Sequence, residues 1–425
     1  MTMGQDITAT LPSSLGVSNY RSFLGEHEFE LKPLTLIYGA NNVGKSALVR
    51  LLPLLGDSVA ADATGALRLE SAAACGAGFG DLESKVPGSA PVPLSVALRW
   101  ASGPVNEAIF VFERRDREGV VILELEVTLR DGSSHQFTRG PHRVRSDTFV
   151  HEYKLRTPAG QQRLEVSFRG LVPSEGVDNI PLAQLRAALL PLRGSVQWLR
   201  AQRAIPGRLF VKPSGPVPLL FPDGSNVPAA LWNDRALADS VSSWFKYALG
   251  RALRLNEASS DEFRFQLENA IHTSNVQVDL IDSGNGPSQV LPVIAACALA
   301  ARANGPRIVA IEEPDANLDV SSQRRLAEYL VGTAAAPSRP RLLIETHSQA
   351  LLLGVQLAVA KGAYKLAPED VAIYWVEQDE FAHSMISPVT IDADGRLSGN
   401  WPDPFGEIRS LARELVALRM ERNTG

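Results

Sequence analysis

The apolar positions change rhythm along the chain. Residues 1 to 14 are polar, and Val17 to Phe29 then reads as a short strand pair. Leu34-Thr-Leu-Ile-Tyr38 is an apolar run of strand length, and Ser46-Ala-Leu-Val-Arg-Leu-Leu behind it has helical spacing, which predicts a helix from Lys45 to about Leu55. Asp57 to Ala90 is rich in Ala, Gly and Ser and leads into Val-Pro-Gly-Ser-Ala-Pro-Val-Pro, the composition of an irregular, mobile connection. Short β-type runs follow at Leu94–Trp100, Ala108–Glu113, Val120–Leu129, His135–Thr138 and Arg163–Arg169. Asp131-Gly132 is a turn signal between two of them, so residues 92 to 170 are expected to form an antiparallel sheet of hairpins. Residues 182 to 204 and 229 to 254 carry helical spacing on either side of a Pro/Gly-rich loop from Pro206 to Pro228. The last third alternates: strand Val276–Leu280, helix Gln289–Ala303, strand Arg307–Ile311, helix Ser321–Gly332, strand Arg341–Ile344, helix Gln349–Ala360. No internal repeat and no long heptad run is present.

Composition narrows the class. The chain has 425 residues, 45% of them hydrophobic, enough for one large α/β domain with an elaborate insertion or for two domains. A net charge of −5 predicts no bulk attraction to nucleic acid, so any such contact must come from a local patch. Cys75 and Cys297 are too few for a disulfide framework or a cysteine metal site. The N-terminus lacks an export signature, and no apolar run approaches the roughly 18 to 20 residues that span a bilayer. A cytoplasmic protein without a membrane partner is expected.

Between the first apolar strand and its helix lies Gly39-Ala-Asn-Asn-Val-Gly-Lys-Ser46, which fits the phosphate-loop pattern in the required strand–loop–helix order. Gly39 and Gly44 let the backbone wrap a β-phosphate, and Asn41, Asn42 and Ala47 belong to the same cradle. Lys45 is expected on the β/γ oxygens of ATP, and Ser46 on Mg²⁺. A second constellation, Arg307-Ile-Val-Ala-Ile-Glu-Glu-Pro-Asp-Ala-Asn-Leu-Asp319, ends a buried strand in two adjacent carboxylates. Glu312 is placed to hold Mg²⁺ through water and Glu313 to orient or deprotonate the attacking water. The alternative is a solvent-facing acidic pair.

Glu-Glu-Pro-Asp-Ala-Asn-Leu-Asp resembles the Walker B motif and D-loop of ABC-type ATPases, ending in Asp319, which that family places at the nucleotide. The family usually has Asp where Glu312 stands. Leu342-Leu-Ile-Glu-Thr-His-Ser348 matches the family's switch-histidine strand, which implies a γ-phosphate contact for His347. Asp282-Ser-Gly-Asn-Gly-Pro-Ser-Gln resembles the signature motif, although it departs from Leu-Ser-Gly-Gly-Gln; Ser283, Gly284, Asn285, Gly286 and Ser288 share the expected contact with a partner's triphosphate. The resemblance implies an ABC-type P-loop NTPase of the α/β class, with an antiparallel β subdomain and a helical lid. Its expected divisions are an N-terminal lobe over 1–60, linker and β subdomain over 61–180, helical insertion over 181–270 and C-terminal lobe over 271–425.

The wording Gly-Pro-Ser-Gln-Val-Leu-Pro, Ile-Glu-Glu-Pro, Ile-Glu-Thr-His-Ser and Gly395-Arg-Leu-Ser-Gly-Asn-Trp-Pro-Asp-Pro-Phe405 narrows the resemblance. It is similar to prokaryotic ABC-fold ATPases that carry the AAA label: relatives of the OLD nucleases and of the anti-phage systems PARIS, Septu and Gabija. An OLD nuclease adds a Toprim domain with an Asp-x-Asp pair; Asp392-Ala-Asp394-Gly is instead read as a hairpin turn. The implied function is a nucleotide switch. Two copies close around two ATP–Mg²⁺, alone or within a larger oligomer, and control a nuclease or toxin encoded by a neighbouring gene. The alternative is a RecF-like DNA clamp, for which His135, Arg139, His142, Arg143 and Arg145 would supply a basic stretch. Arg200 or Arg203 reads either as a partner-side contact or as a structural salt bridge, and Asp81 or Glu83 stands where the family keeps a glutamine loop.

Overall fold

Alternation along five short strands sorts the core into two layers, one on each face of a parallel sheet. The computed structural model describes residues 11–85, 92–116, 118–143, 150–157, 160–175, 178–270, 276–399, 410–411 and 413–416. In chain order, β1 (Ser14–Tyr20) and β2 (Phe23–Glu30) form the expected hairpin, and β3 (Leu34–Gly39) runs through the phosphate loop into α1 (Lys45–Ser58). The short helix α2 (Phe79–Leu82) precedes an antiparallel series: β4 (Leu94–Arg99), β5 (Val105–Arg115), β6 (Gly119–Leu129), β7 (Ser134–Arg143), β8 (Val150–Thr157), β9 (Gly160–Arg169) and β10 (Val172–Pro173). Then come α3 (Ile180–Leu189), β11 (Val196–Leu199), β12 (Phe210–Val211), α4 (Val227–Asn233), α5 (Arg235–Leu249), β13 (Arg251–Glu257), β14 (Glu262–Asn269) and β15 (Gln277–Asp279). The last third holds α6 (Asn285–Ala300), β16 (Ile308–Glu312), α7 (Val320–Ala334), β17 (Arg341–Glu345), α8 (Gln349–Ala360), β18 (Val371–Gln378), β19 (Ser384–Ile391) and β20 (Leu397–Ser398).

The central sheet has the order β11-β16-β17-β3-β18-β19-β20. The first five strands are parallel, and β19 and β20 add an antiparallel edge. Ile37 of β3, Ile308 and Ala310 of β16 and Leu343 of β17 join α1 and the antiparallel sheet in one core. Leu34, Leu36 and Tyr38 of β3, with Val309, Ile311, Leu342 and Ile344, join α5, α6, α7 and α8 in the other. Burial on both faces explains why these strands read as unbroken apolar runs. The α/β class expected of an ABC-type P-loop NTPase, with its antiparallel subdomain and helical insertion, is the one observed.

Several elements differ from the sequence reading. The nine-stranded antiparallel sheet, order β10-β9-β8-β7-β6-β5-β4-β1-β2, takes in the N-terminal hairpin, so it does not begin at residue 61. Residues 59–85, largely irregular apart from α2, are packed rather than a loose connection: Ala63, Leu67, Phe79 and Leu82 are buried, the last three in the core that α1 shares. β11 lies where the spacing reads as helix, although the resemblance places a strand or turn at Val196–Arg203; Gln197, buried within it, both donates to and accepts from the Leu220 backbone (3.0 and 2.7 Å), a tertiary bond no periodicity signals. β13 and β14 form a hairpin where the helical spacing was expected to continue to residue 254, and β15 joins that hairpin, not the central sheet. β8 was not foreseen, although Tyr153 and Leu155 are fully buried.

The insertion holds its own aromatic cluster. The Phe263 ring is wholly buried, stacked on Trp232 at 4.3 Å, and 5.6 and 5.8 Å from Phe210 and Phe265. Phe263→Ala is expected to destabilise the protein by about 3–5 kcal/mol, since the cavity left behind adds to the lost transfer energy. Chemical denaturation with an unchanged midpoint would show that this cluster does not support the insertion.

Candidate functional site

The carboxyl ends of β3, β16, β17 and β18 meet at one edge of the sheet, where open α/β sheets place their ligands. A cavity of about 700 Å³ opens there, lined by Asn41, Asn42 and Gly44–Ala47 of the phosphate loop and by Glu313, Glu345 and His347 from the two neighbouring strands. Gly39 has φ 150°, and a Cβ placed on it would sit 2.1 Å from the Val376 carbonyl, so β18 can approach the loop only where no side chain stands. Lys45 is 3% exposed and donates to the Ala40 carbonyl at 2.5 Å, folding back along its own loop. Burial pulls its pKa down, opposed by Glu345 and Glu313.

Two carboxylates at the ends of adjacent strands meet one face of α1. Glu312 and Glu345 are register partners in the β16–β17 ladder, and each points to the α1 side with Ala310 and Leu343. Ser46 and Arg50 lie one turn apart on that helix, at i and i+4. Ser46 Oγ donates to Glu345 Oε1 at 2.8 Å, while Arg50 clasps both oxygens of Glu312 at 2.6 Å. Trp198 Nε1 adds a third donor to Glu312 at 3.1 Å. The arginine's pKa is raised, chiefly by that paired hydrogen bond. Glu312 was expected to hold Mg²⁺, but its side chain is 1% exposed, neutralised by Arg50 and absent from the cavity wall. Glu345 lines the wall instead; it is buried, and desolvation pushes its carboxyl up to about 7 against the Ser46 hydrogen bond.

Glu313 follows β16 with φ 43°, a left-handed conformation uncommon for a glutamate, and donates its N–H to the Glu345 carbonyl at 2.8 Å. That twist turns its side chain away from the Glu312 side and into the cavity, where it faces Lys45. His347 reaches the same cavity from the loop after β17; the partial desolvation of its ring there, then Lys45, lowers its pKa. Between them, Thr346 Oγ1 donates to Asp315 at 2.5 Å and Tyr38 OH to the Ser348 carbonyl at 2.9 Å, fixing the loops after β16 and β17.

The signature segment lies elsewhere. None of Ser283, Gly284, Asn285, Gly286 and Ser288 lines the cavity of its own chain. Gly284 and Asn285 are exposed at the start of α6, whereas Ser288 is buried with its hydroxyl on the Leu280 and Gly284 carbonyls at 3.4 Å. Ser283 donates to the Leu280 carbonyl at 2.6 Å. A Cβ on Gly286 would meet the Asn317 carbonyl at 2.8 Å, so the first turn of α6 rests on the D-loop backbone. Asp319 was expected at the nucleotide; its carboxylate instead caps α7, accepting from Ser321 and Ser322 N–H at 2.9 and 3.1 Å, and it does not line the cavity. Arg203 is an internal strut, 5% exposed: it donates to the Glu312, Glu313 and Gln289 carbonyls at 2.5, 3.2 and 3.3 Å, and burial lowers its pKa to about 10. Arg200 bonds the Gln202 carbonyl within its own loop.

Sequence reasoning missed part of the wall. Arg21 and Ser22 from the first hairpin, and Phe381 and His383 from the β18–β19 turn, border the cavity. Asp81 and Glu83, named only as stand-ins for a glutamine loop, do line it. Arg21 has φ 54° and donates its N–H to the Leu82 carbonyl at 2.7 Å, and neither feature is visible in a one-dimensional pattern. Of the basic stretch, Arg139 is 8% exposed and bonded to Glu118 and His151, so it is not free to meet phosphates. Arg145 and the side chains of His142 and Arg143 lie outside the described residues.

Comparison with known proteins gives two family matches. Residues 218–353 match the family described as "AAA domain, putative AbiEii toxin, Type IV TA system", and residues 366–413 one described as a protein of unknown function, DUF3696. The first match spans the signature segment, β16 and β17. That match, over less than half of the chain, is to an AAA-domain family, and a parallel α/β sheet around a phosphate loop agrees with an ATPase domain. The sequence matches no curated protein. Among solved structures, an SmcHead bound to the C-winged helix domain of ScpA is similar at 14% identity, covering 89% of this chain and 98% of that one, with a TM-score of 0.47. The SMC head domain from Thermotoga maritima shares 12% identity over 90% of this chain and 100% of its own, with a TM-score of 0.44. An Smc head domain with an extended coiled coil, bound to the C-terminal domain of ScpA derived from Pyrococcus furiosus, shares 10% over 96% and 99%, with a TM-score of 0.46. At these TM-scores the likeness carries no argument, and the fold stands on its own strand order. No helix among the described residues is long and apolar enough to cross a membrane.

Removing Arg50 leaves Glu312 charged and buried without its counter-ion. Arg50→Met is expected to cost about 3–5 kcal/mol of stability, and the double variant Arg50→Met/Glu312→Gln to regain much of it. Additive losses in a denaturation cycle would mean that the two side chains are not a pair.

Proposed function

We propose that the chain is an ATP- and Mg²⁺-dependent switch whose active form is two copies closed face to face around two nucleotides. The observation that carries this reading is the incomplete cavity. One chain supplies the phosphate loop, Glu313 and His347 but no signature residue, while its own α6 N-terminus stands exposed away from the cavity. A second copy presenting Gly284 and Asn285 would close the triphosphate side with helix-terminal N–H groups. In the closed state Lys45 swings from the Ala40 carbonyl to the β/γ oxygens, Ser46 turns its hydroxyl to the Mg²⁺, Glu313 orients or deprotonates water, and His347 meets the γ-phosphate. Bound Mg²⁺ supplies neutralisation of the phosphate charge. Hydrolysis releases the two copies.

Beyond this, the reading assigns the switch to control of a separate effector, a nuclease or toxin, in a bacterial anti-phage system. The match to a family described by a toxin of a toxin–antitoxin system supports it. So does the pairing of Arg139 with Glu118, which removes that arginine from the basic stretch the rival DNA-clamp reading would use. The ATPase would be cytoplasmic, and its effector would co-purify with it.

Lys45→Ala is expected to weaken ATP binding about ten- to hundredfold by deleting a charge-assisted contact. Calorimetry showing unchanged affinity would remove Lys45 from the site. Glu313→Gln is expected to bind ATP but turn it over about 100-fold more slowly or worse, since shape is kept and the base is lost. Light scattering of this variant with ATP and Mg²⁺ should show a monomer-to-dimer shift; a mass indifferent to nucleotide would contradict closure by two copies.

A further inference from the structure

We propose that Glu345, at the end of the strand next to the phosphate loop, is the carboxylate that ligates the nucleotide's Mg²⁺ together with Ser46, and that Glu312 is held out of that role by Arg50. The assignment rests on the ATPase reading above and specifies the ion's protein ligand within it. Three observations carry it. Glu345 Oε1 already accepts from the Ser46 hydroxyl at 2.8 Å, so carboxylate and hydroxyl converge on one point of the cavity wall. Its other oxygen, Oε2, is buried with no hydrogen-bond partner, in a side chain only 4% exposed. A buried carboxylate oxygen without a donor is costly, and a hard cation is a partner that would satisfy it. Thirdly, Glu312 has no lone pair to spare: Arg50 takes both oxygens, Trp198 Nε1 shares Oε1, and the Ala201 N–H approaches Oε2 at 3.4 Å.

Strand order explains the exchange of roles. β17 lies between β16 and β3, so its terminal residue stands one strand closer to the phosphate loop than Glu312 does. Ser46 opens α1 above β17, and Arg50, a turn later, reaches over β16. Mg²⁺ is commonly bound by one or two carboxylates together with phosphates and water. A carboxylate beside a hydroxyl is the pair that this wall presents.

The test measures ATP affinity of the full chain by calorimetry, in EDTA and in MgCl₂, for the parent, Glu345→Gln, Glu345→Asp and the charge-balanced Arg50→Met/Glu312→Gln. Bound Mn²⁺, followed by electron paramagnetic resonance in the presence of ATP, reports the ion directly. In Glu345→Gln, ATP binding in EDTA should equal or exceed the parent's, while the strengthening by Mg²⁺ falls about tenfold or more and the bound Mn²⁺ signal is lost. Glu345→Asp, one methylene shorter, should fall between, and the Arg50/Glu312 double variant should keep the parent's ratio. The assignment is overturned if Glu345→Gln keeps the parent's Mg²⁺ ratio, or if the double variant is the one that loses it. A parent that binds no ATP, with or without the ion, overturns the ATPase reading itself and this assignment with it.

Discussion

The site hangs on a pair of rungs between one helix and the ends of two adjacent strands. α1 starts at the phosphate loop and lies over β17 and β16, where Ser46 meets Glu345 and Arg50 meets Glu312. The second rung is an ion pair whose carboxylate is buried and whose arginine is half-buried. Glu312 could not sit there charged and alone, because a lone buried charge costs several kcal/mol. The pair links α1 to the end of β16. The helix in turn positions Lys45, Ser46 and the loop whose Gly39 touches the β18 backbone.

From the same strand ends, contacts run outward to the signature segment. Arg203 ties the carbonyls that close β16 to Gln289 on the first turns of α6, and Gln289 returns a bond to the Arg203 carbonyl at 3.3 Å. Gly286 rests on the Asn317 carbonyl, and Asp319 two residues later caps α7. The turn before α6 is braced from the insertion, where Arg208 pairs with Asp279 and Asp282 at 2.7 and 2.8 Å. Signature segment, Walker B end and D-loop are therefore packed as one unit. A shift at the phosphate cavity has a short, contiguous route to the exposed start of α6.

The antiparallel sheet does more than occupy the middle of the chain. It shares the first hairpin with the nucleotide lobe, and that hairpin brings Arg21 and Ser22 to the cavity. Residues 59–85, packed along α1, bring Asp81 and Glu83 to the same wall. Parts of the chain that read as a linker and a lid are thus structurally continuous with the phosphate site.

Local chemistry made much of this legible beforehand. The phosphate loop, the β3–α1 junction, the β16–α7–β17–α8 alternation and the Asp392 turn, whose carboxylate accepts from Asp394 and Arg396 N–H at 3.0 and 2.8 Å, all follow from patterns within a few residues. The helical spacing missed β11 and the β13–β14 hairpin, because Gln197 bonds the Leu220 backbone and Phe263 stacks on Trp232, partners more than twenty residues away along the chain. The sequence by itself determined that one strand would end in two adjacent carboxylates and another in a histidine near a phosphate loop. Which carboxylate faces the loop was decided by tertiary structure: hydrogen-bond pairing placed β17 beside β3, and the four-residue step from Ser46 to Arg50 aligned one helix face with both strand ends. Strand order and helix crossing are properties of distant segments packed together, and no local spacing encodes them.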